Sequence, residues 1–271
     1  MQPKAPEWDA FYAQMKRKTN LDLHKYKPQQ LQRRIIGMME SKNTSTLDEF
    51  WATIVSEREG ITWFMDRLAI NVSELFRNPE KWEEMRKVIL PDLLTRSKTL
   101  KCWSAGCSIG AEAHSLAMIL DNDFRGNHTI VGSDIDQAAL TQAKSGEYGE
   151  SEMRCVPADL KAKYFLRTND KYFAKPELKK SLSFKTGDLL ADRFDTGFDL
   201  IMCRNVVIYF TDEAKDELYR RFYAALKPGG FLFVGSTERI FNSKEIGFDS
   251  PHSFYYQKPN TTGDRQWRSA S

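Results

Sequence analysis

The stretch LKCWSAGCSIGAE, residues 100–112, decides the fold. A short apolar run ending at Trp103 gives way to Ser104, Ala105, Gly106, Ser108 and Gly110. A helical stripe of Ala113, Leu116, Ala117, Ile119 and Leu120 follows. This pattern predicts a buried strand that turns tightly into a helix, with glycines where the backbone must bend or approach a ligand. A second strand, His128 to Ser133, ends in Asp134-Ile135-Asp136. A glycine turn after one strand and an acid closing the next is how doubly wound sheets hold a nucleoside.

Upstream, residues 7 to about 70 read as helices without strands. Trp8, Phe11, Tyr12 and Met15 recur at helical spacing, and Leu31, Ile35, Ile36 and Met39 repeat it after Pro28. Leu47, Phe50, Ile54 and Val55 mark a third stripe, and Ile61, Phe64, Met65 and Leu68 a fourth. The second stripe carries Lys25, Lys27, Arg33 and Arg34 with no acid before Glu40. It is either a solvated helix face or a docking surface for an acidic partner. NVSELFR, 71–77, joins this module to a helix start at Asn78-Pro79, where Asn78 is the predicted cap. Arg77 there either faces solvent or points into the cleft between the modules. In the cleft, a planar guanidinium would grip a carboxylate through two hydrogen bonds.

Downstream, strand and helix alternate, with a predicted helix near Gln137 to Ser145. Between Gly146 and Ser183 the rhythm breaks at Tyr164, Phe165, Tyr172 and Phe173, which predicts an insertion with a small antiparallel element at about 160–182. Alternation resumes with Ser183 to Lys185 and Thr186-Gly187-Asp188, then the apolar strand Phe198 to Cys203 followed by Arg204-Asn205. A helix from Asp212 to Leu226 is stopped by Lys227-Pro228-Gly229-Gly230, and Phe231 to Val234 is the next strand. Ser253 to Gln257, reached through a loop, is predicted to return antiparallel, and the polar tail 259–271 to be disordered.

Composition narrows the function classes. Of 271 residues, 41% are hydrophobic and 28% charged, which suits a globular protein, and the net charge of +3 gives no reason for bulk nucleic-acid binding. Cys102, Cys107, Cys155 and Cys203 form no CxxC pair, so they read as thiols of a reducing compartment rather than a disulfide framework or metal site. Met1 to Trp8 lacks the apolar core of a signal peptide, and no apolar run approaches the roughly 20 residues of a membrane helix. A cytoplasmic protein with no membrane insertion is the expectation.

Ligands of parallel sheets bind at the carboxyl ends of the strands, here Ser104 to Gly110, Asp134, Asp188 and Cys203 to Asn205. Asp134 is placed to accept from ribose hydroxyls and Asp188 from the exocyclic amine of a base, although each alone also reads as a cap or loop charge. There is no GxxxxGK[ST], the turn lacks GxGxxG spacing, and no lysine or arginine falls within it. A cationic, phosphate-free cofactor close to Glu112 fits better, and S-adenosylmethionine is one.

These residues resemble the CheR-type chemotaxis receptor methyltransferases over roughly 10–258. The resemblance rests on NVSELFRN (71–78), WSAGCSIGAE (103–112), GSDID (132–136), CRNVVIYF (203–210) and LKPGGFLFVGSTE (226–238). It implies an α/β protein in which an N-terminal helical receptor-docking domain, 1–75, precedes a class I, Rossmann-like methyltransferase domain, 76–258, with a small antiparallel β insertion. It implies S-adenosyl-L-methionine as cofactor, S-adenosyl-L-homocysteine as product, and chemoreceptor glutamates as the groups methylated by a monomeric enzyme. By position, Asn71, Ser73, Arg77, Glu112 and Asp134 would contact the cofactor, Asp188 and Leu189 would flank its adenine, and Cys203 and Arg204 would line the pocket. Arg77 and Tyr209 would orient the substrate carboxylate, and Arg33 and Arg34 would meet the receptor. Where the family usually has threonine, two glutamates, a proline and an aromatic, this chain has Ile109, Ala111, Glu112, Ala113 and His114. Two rival readings are a methyltransferase of small molecules and a non-catalytic S-adenosylmethionine-binding relative that docks on or senses receptors.

Overall fold

The computed structural model describes residues 3–68 and 73–260. Four helices open the chain: α1 (Ala5–Thr19), α2 (Pro28–Ser41), α3 (Leu47–Ser56) and α4 (Gly60–Leu68). Their apolar stripes meet in one core of Trp8, Phe11, Met15, Ile35, Phe50 and Phe64, with Phe11 stacked on Phe50 at 5.9 Å. Local chemistry sets their ends. Thr46 caps α3 by accepting from the Glu49 N–H, Glu49 reaches back in a capping box, and Pro28 starts α2.

A helical run follows, α5 (Pro79–Glu84), a π-helical turn Met85–Ile89 and α6 (Leu90–Leu94). Pro91 has no N–H to give the preceding turn, and the Leu90 N–H reaches back to the Met85 carbonyl instead. The sheet region then runs β1 (Lys101–Ala105), α7 (Ala111–Asp123), β2 (Thr129–Asp134), α8 (Gln137–Ser145), β3 (Glu147–Gly149), α9 (Ala158–Tyr164), β4 (Phe165–Thr168), β5 (Lys171–Ala174), α10 (Pro176–Lys179) and β6 (Leu182–Thr186). It continues with β7 (Phe198–Cys203), α11 (Asp212–Ala225), β8 (Leu226–Val234), α12 (Ser243–Ile246), β9 (Asp249–His252) and β10 (Tyr255–Gln257).

The main sheet has the order β6-β2-β1-β7-β8-β10-β9, parallel from β6 to β8, with β10 antiparallel to β8 and β9 antiparallel to β10. The predicted antiparallel return is therefore β10, with β9 as a further edge. β7, buried at all six positions, is sandwiched between helix layers, which is why it reads as an unbroken apolar run. Lys227 to Gly230 does not end before β8 but forms a bulge within it: Phe198 pairs with Leu226 and Leu200 with Phe231. The insertion is a second sheet of order β3-β5-β4, antiparallel throughout. It begins at Glu147, ahead of the expected start.

Candidate active site

The sheet reverses its strand order at β1, which pairs with β2 on one side and β7 on the other. The crevice outside the carboxyl ends of β1 and β7 is therefore the place for a ligand. The turn after β1 is fixed by β2: the Gly106 and Cys107 N–H groups donate to the Ser133 carbonyl at 2.8 and 2.9 Å, and the Ser108 N–H donates to Asp134 Oδ2 at 2.7 Å. Gly106 and Gly110 have φ of +74° and +77°. A Cβ on Gly106 would stand 2.5 Å from Val206, and one on Gly110 would stand 2.7 Å from Ala143. Only glycine meets both demands.

Over this crevice lies a cavity of about 590 Å³ whose walls come from both halves of the chain. Asp134, Asp188, Leu189, Arg204, Arg77 and Tyr209 line it from the sheet side, and Arg33 and Arg34 line it from α2. A smaller cavity of about 40 Å³ adjoins it and shares Arg77, Gly106, Arg204 and Asn205. Ser73, Glu74, Trp82 and Glu112 complete its wall. The structure thus brings Ser73 and Glu112 beside the same arginines as the acids. Asn71 lies outside the described residues. Cys203 is a correction: it is fully buried at the end of β7 among Val207, Val234 and Leu232, and the cavity wall begins at Arg204. The alternation of a strand turns its thiol into the core, where burial pushes the thiol pKa well up.

Among the described residues four acids line the two cavities: Asp134, Asp188, Glu112 and Glu74, the last paired with Arg154 at 2.8 Å. Asp134 Oδ2 accepts from Ser108 and Oδ1 from the Asp136 N–H at 3.0 Å, and a carboxylate with about four lone-pair sites keeps acceptor capacity for a ligand hydroxyl. Burial raises its pKa, and the backbone N–H groups of Asp136, Ser108 and Ile135 oppose the rise. Asp188, whose Oδ1 accepts from the Leu190 N–H at 2.7 Å, is also raised chiefly by burial. Glu112 follows the same direction and cause, countered most by the Arg204 charge. It accepts from Ser104 Oγ at 2.8 Å and stands 3.7 Å from Arg204 Nη1.

Arg77 is held by its backbone. Phe76 and Asn78 on either side have φ of +55° and +59°, a conformation that a bulky residue adopts only when its surroundings impose it. Here the Leu75 N–H donates to the Glu152 carbonyl, and the Phe76 N–H donates to Ser115 Oγ on α7. The Arg77 carbonyl accepts from Trp82 Nε1 and Arg204 Nη2, both at 3.1 Å. Asn78 is a second correction. It precedes α5 but does not cap it with its side chain; its Oδ1 accepts from Arg204 Nη2 at 2.9 Å.

Tyr209 ends a 3₁₀ turn, Val207–Tyr209, and burial raises its phenol pKa while the Arg34 and Arg77 charges oppose the rise. Arg34 donates to the Leu68 carbonyl, and burial lowers its pKa. It therefore faces inward to the cavity, while Arg33 beside it is exposed at the rim.

Sequence reasoning missed Tyr26 and Glu238. Tyr26 lines the cavity from the helical module, packed edge-on to Phe210 at 5.2 Å. Burial and then the charges of Asp188 and Asp134 push its phenol pKa up. Residues 25–27 pair with 209–211 as a short antiparallel bridge: Lys27 N–H to the Tyr209 carbonyl and Thr211 N–H to the Lys25 carbonyl, both 2.9 Å. A one-residue bridge leaves no periodic pattern to read. Ile109, Ala111, Ala113 and His114 are all buried away from both cavities. His114 packs between Tyr148 of the small sheet and Phe184 of the main sheet, and Ile109, Ala111 and Ala113 belong to the core that holds Tyr148, so these substitutions fall in the core rather than in the ligand space.

S-adenosylmethionine fits these residues. Asp134 ends β2 and Asp188 follows β6, where ribose and base would lie, and Leu189, Ile135, Val206 and Phe210 offer apolar faces in the same cavity. The glycine turn holds no cation for a pyrophosphate but leads into Glu112 on α7. Two family descriptions match the chain: "CheR methyltransferase, all-alpha domain" over residues 6–69 and "CheR methyltransferase, SAM binding domain" over residues 71–253. A chemotaxis protein methyltransferase of Listeria monocytogenes is 38% identical over 246 residues, covering 90% of this chain and 94% of its own. Chemotaxis protein methyltransferase 1 of Pseudomonas aeruginosa is 32% identical over 222 residues, covering 77% and 81%.

Proposed function

Since the chain belongs to the CheR methyltransferase family, and so is an S-adenosylmethionine-dependent methyltransferase of chemotaxis, we propose that it methylates glutamate side chains of chemoreceptor cytoplasmic domains to glutamyl methyl esters. The observation that carries this reading is the meeting of Arg77 and Tyr209 in one cavity with Asp134 and Asp188. A carboxylate-gripping pair thus shares its space with a nucleoside-binding pair. In this reading residues 1–75 dock the receptor and 76–258 perform the transfer. Among the described residues no helix is long and apolar enough to cross a membrane.

When bound, the cofactor supplies an electrophilic methyl group on a sulfonium. Asp134 would hold the cofactor through the ribose hydroxyls, Asp188 through the adenine amine, and Glu112 would offer a negative charge to the amino-acid end. Glutamate has a reference pKa near 4.3, so the incoming side chain is already a carboxylate at neutral pH and no general base is required. What the protein supplies is alignment and partial removal of water. Arg77 and Tyr209 hold one carboxylate oxygen while the other is left to attack. Arg33 at the rim offers positive charge to an acidic receptor face.

The test is incubation with labelled S-adenosylmethionine and receptor cytoplasmic fragments, followed by base treatment. Base-labile label on receptor glutamates is the expected result. Label that is base-stable, or that appears only on small molecules, would overturn the glutamate assignment. The non-catalytic alternative loses its main support, because the departures at 109, 111, 113 and 114 lie outside the ligand space.

A further inference from the structure

Glu238, in the loop after β8, is 4% exposed and touches neither cavity, yet it accepts four backbone hydrogen bonds. Oε2 accepts from the Asn205 and Gly235 N–H groups at 2.6 and 2.8 Å, and Oε1 from those of Val206 and Val207 at 2.9 and 3.0 Å. A carboxylate has about four lone-pair sites, so this one is saturated and can hold only one orientation.

Three of the donors are consecutive, and they converge because Asn205 sits at φ +60° and Val206 returns to the right-handed region. Successive N–H groups in that alternation form a concave nest that binds an anion. Here the anion is internal. Left unpaired, the same donors would be polar groups without partners in a partly buried loop, so the turn holds its shape only with the carboxylate in place. The nest sits at the start of the 3₁₀ turn whose last residue is Tyr209. At its other end, the Tyr209 carbonyl is tied to the Lys27 N–H. The turn is thus clamped at both ends, with the phenol between the clamps facing the cavity.

We propose that Glu238 is a positioning residue for methyl transfer: as the internal anion of the 205–207 nest, it fixes where the Tyr209 hydroxyl stands. The inference rests on the reading of Tyr209 as a group that orients the substrate carboxylate. Gly235 belongs to the same device, since a Cβ there would lie 2.3 Å from Glu238 Oε2.

The test is a double-mutant cycle of Glu238→Gln and Tyr209→Phe, with kcat measured at saturating S-adenosylmethionine and receptor fragment. An amide has one acceptor oxygen and turns an NH₂ toward the donors. Glu238→Gln is therefore expected to lower kcat about tenfold to a hundredfold, the scale of a misplacement of about 1 Å. In the Tyr209→Phe background the same change is expected to do little, because coupled groups are not additive. An equal fall in both backgrounds overturns the proposal. Glu238→Asp keeps two oxygens and carries the cycle if the glutamine variant does not fold. Amide hydrogen exchange separates this inference from the function itself. Faster exchange at Asn205, Val206 and Val207 in the variant, with β1 still protected, supports the nest whether or not receptor glutamates are methylated. Unchanged exchange at those three overturns it.

Discussion

Arg204 and Glu112 face each other at 3.7 Å where the two cavities meet, with side chains only 5% and 16% exposed. Arg204 also lies over the Phe233 ring at 4.7 Å and donates to the Arg77 carbonyl and Asn78 Oδ1. It therefore binds the segment that carries Arg77 to the strand end that shapes the ligand crevice. Removing one partner of a buried pair strands the other charge, at a cost of about 3–5 kcal/mol. Glu112→Ala is expected to lower unfolding free energy by that order in urea titrations. Glu112→Gln, which keeps an acceptor for Ser104, is expected to cost less while still weakening S-adenosylmethionine binding by calorimetry. Equal stability of the wild type and the alanine variant would show that the pair has no such role.

Asp134 serves two purposes, closing the Ser108 turn and offering lone pairs to the cavity. Asp134→Asn keeps the size but loses one acceptor oxygen and the charge. It is expected to weaken S-adenosylmethionine affinity about tenfold, or about 1.4 kcal/mol. Calorimetry that returns the wild-type affinity would count against the ribose role.

Arg77→Lys separates chemistry from folding. The bonds that Trp82 and Arg204 make to position 77 end on its carbonyl, which the substitution keeps. A lysine is a point charge without the planar fork needed for two parallel hydrogen bonds. Transfer to receptor fragments is expected to fall by about a hundredfold, the effect of losing orientation at the reacting group. The melting temperature should move little. Near-normal transfer would remove Arg77 from the site.

The bridge between Lys27 and Tyr209 can be tested by comparing two substitutions. Lys27 already has φ −60° and Tyr26 is extended, so Lys27→Pro fits the backbone and removes the N–H along with the side chain. Lys27→Ala removes the side chain and keeps the N–H, so the difference between the two isolates the bond. The expected cost is about 1 kcal/mol of stability. Limited proteolysis should also cut faster between the helical module and the sheet. Unchanged protease resistance would mean that the bridge does not couple them.

His114 sets a pH dependence. Burial pushes its pKa down to about 4 from 6.5, and its Nδ1 is engaged by the Gly110 carbonyl and the Tyr148 hydroxyl at 2.9 and 2.8 Å. Tyr148 also donates to the Ile109 carbonyl, so the network assigns the proton to Nδ1 of a neutral ring. Between pH 6.5 and 4 the unfolded chain binds a proton that the folded chain does not, so stability rises with pH across this window and is lost on acidification. The loss is on the order of 3 kcal/mol. His114→Phe should flatten that part of a stability–pH curve, and a curve of unchanged slope would refute the assignment.

The sheet was legible in the sequence because buried parallel strands need continuous apolar runs and their turns need glycine. Phe198 to Cys203 and the turn from Gly106 to Gly110 satisfy both requirements locally. Asp134 and Asp188 were legible for a related reason, since the carboxyl ends of parallel strands, here β2 and β6, all open on the ligand side of the sheet by topology alone. Cys203 and Asn78 misled for the opposite reason. Whether a residue beside a strand end faces core or cavity, and whether an asparagine caps its own helix or holds a distant arginine, depends on neighbours far away in the chain.

By itself, then, the sequence determined the order of helices and strands, the small antiparallel insertion and the ring of acids about the crevice, because each rests on short-range periodicity and turn chemistry. Only the tertiary structure decided that Arg34 faces inward, that Tyr26 walls the cavity from the helical module, and that Glu238 holds the turn bearing Tyr209. Those facts are pairings across about 30 to 180 residues, made by single hydrogen bonds and packed rings whose partners leave no repeating signal along the chain.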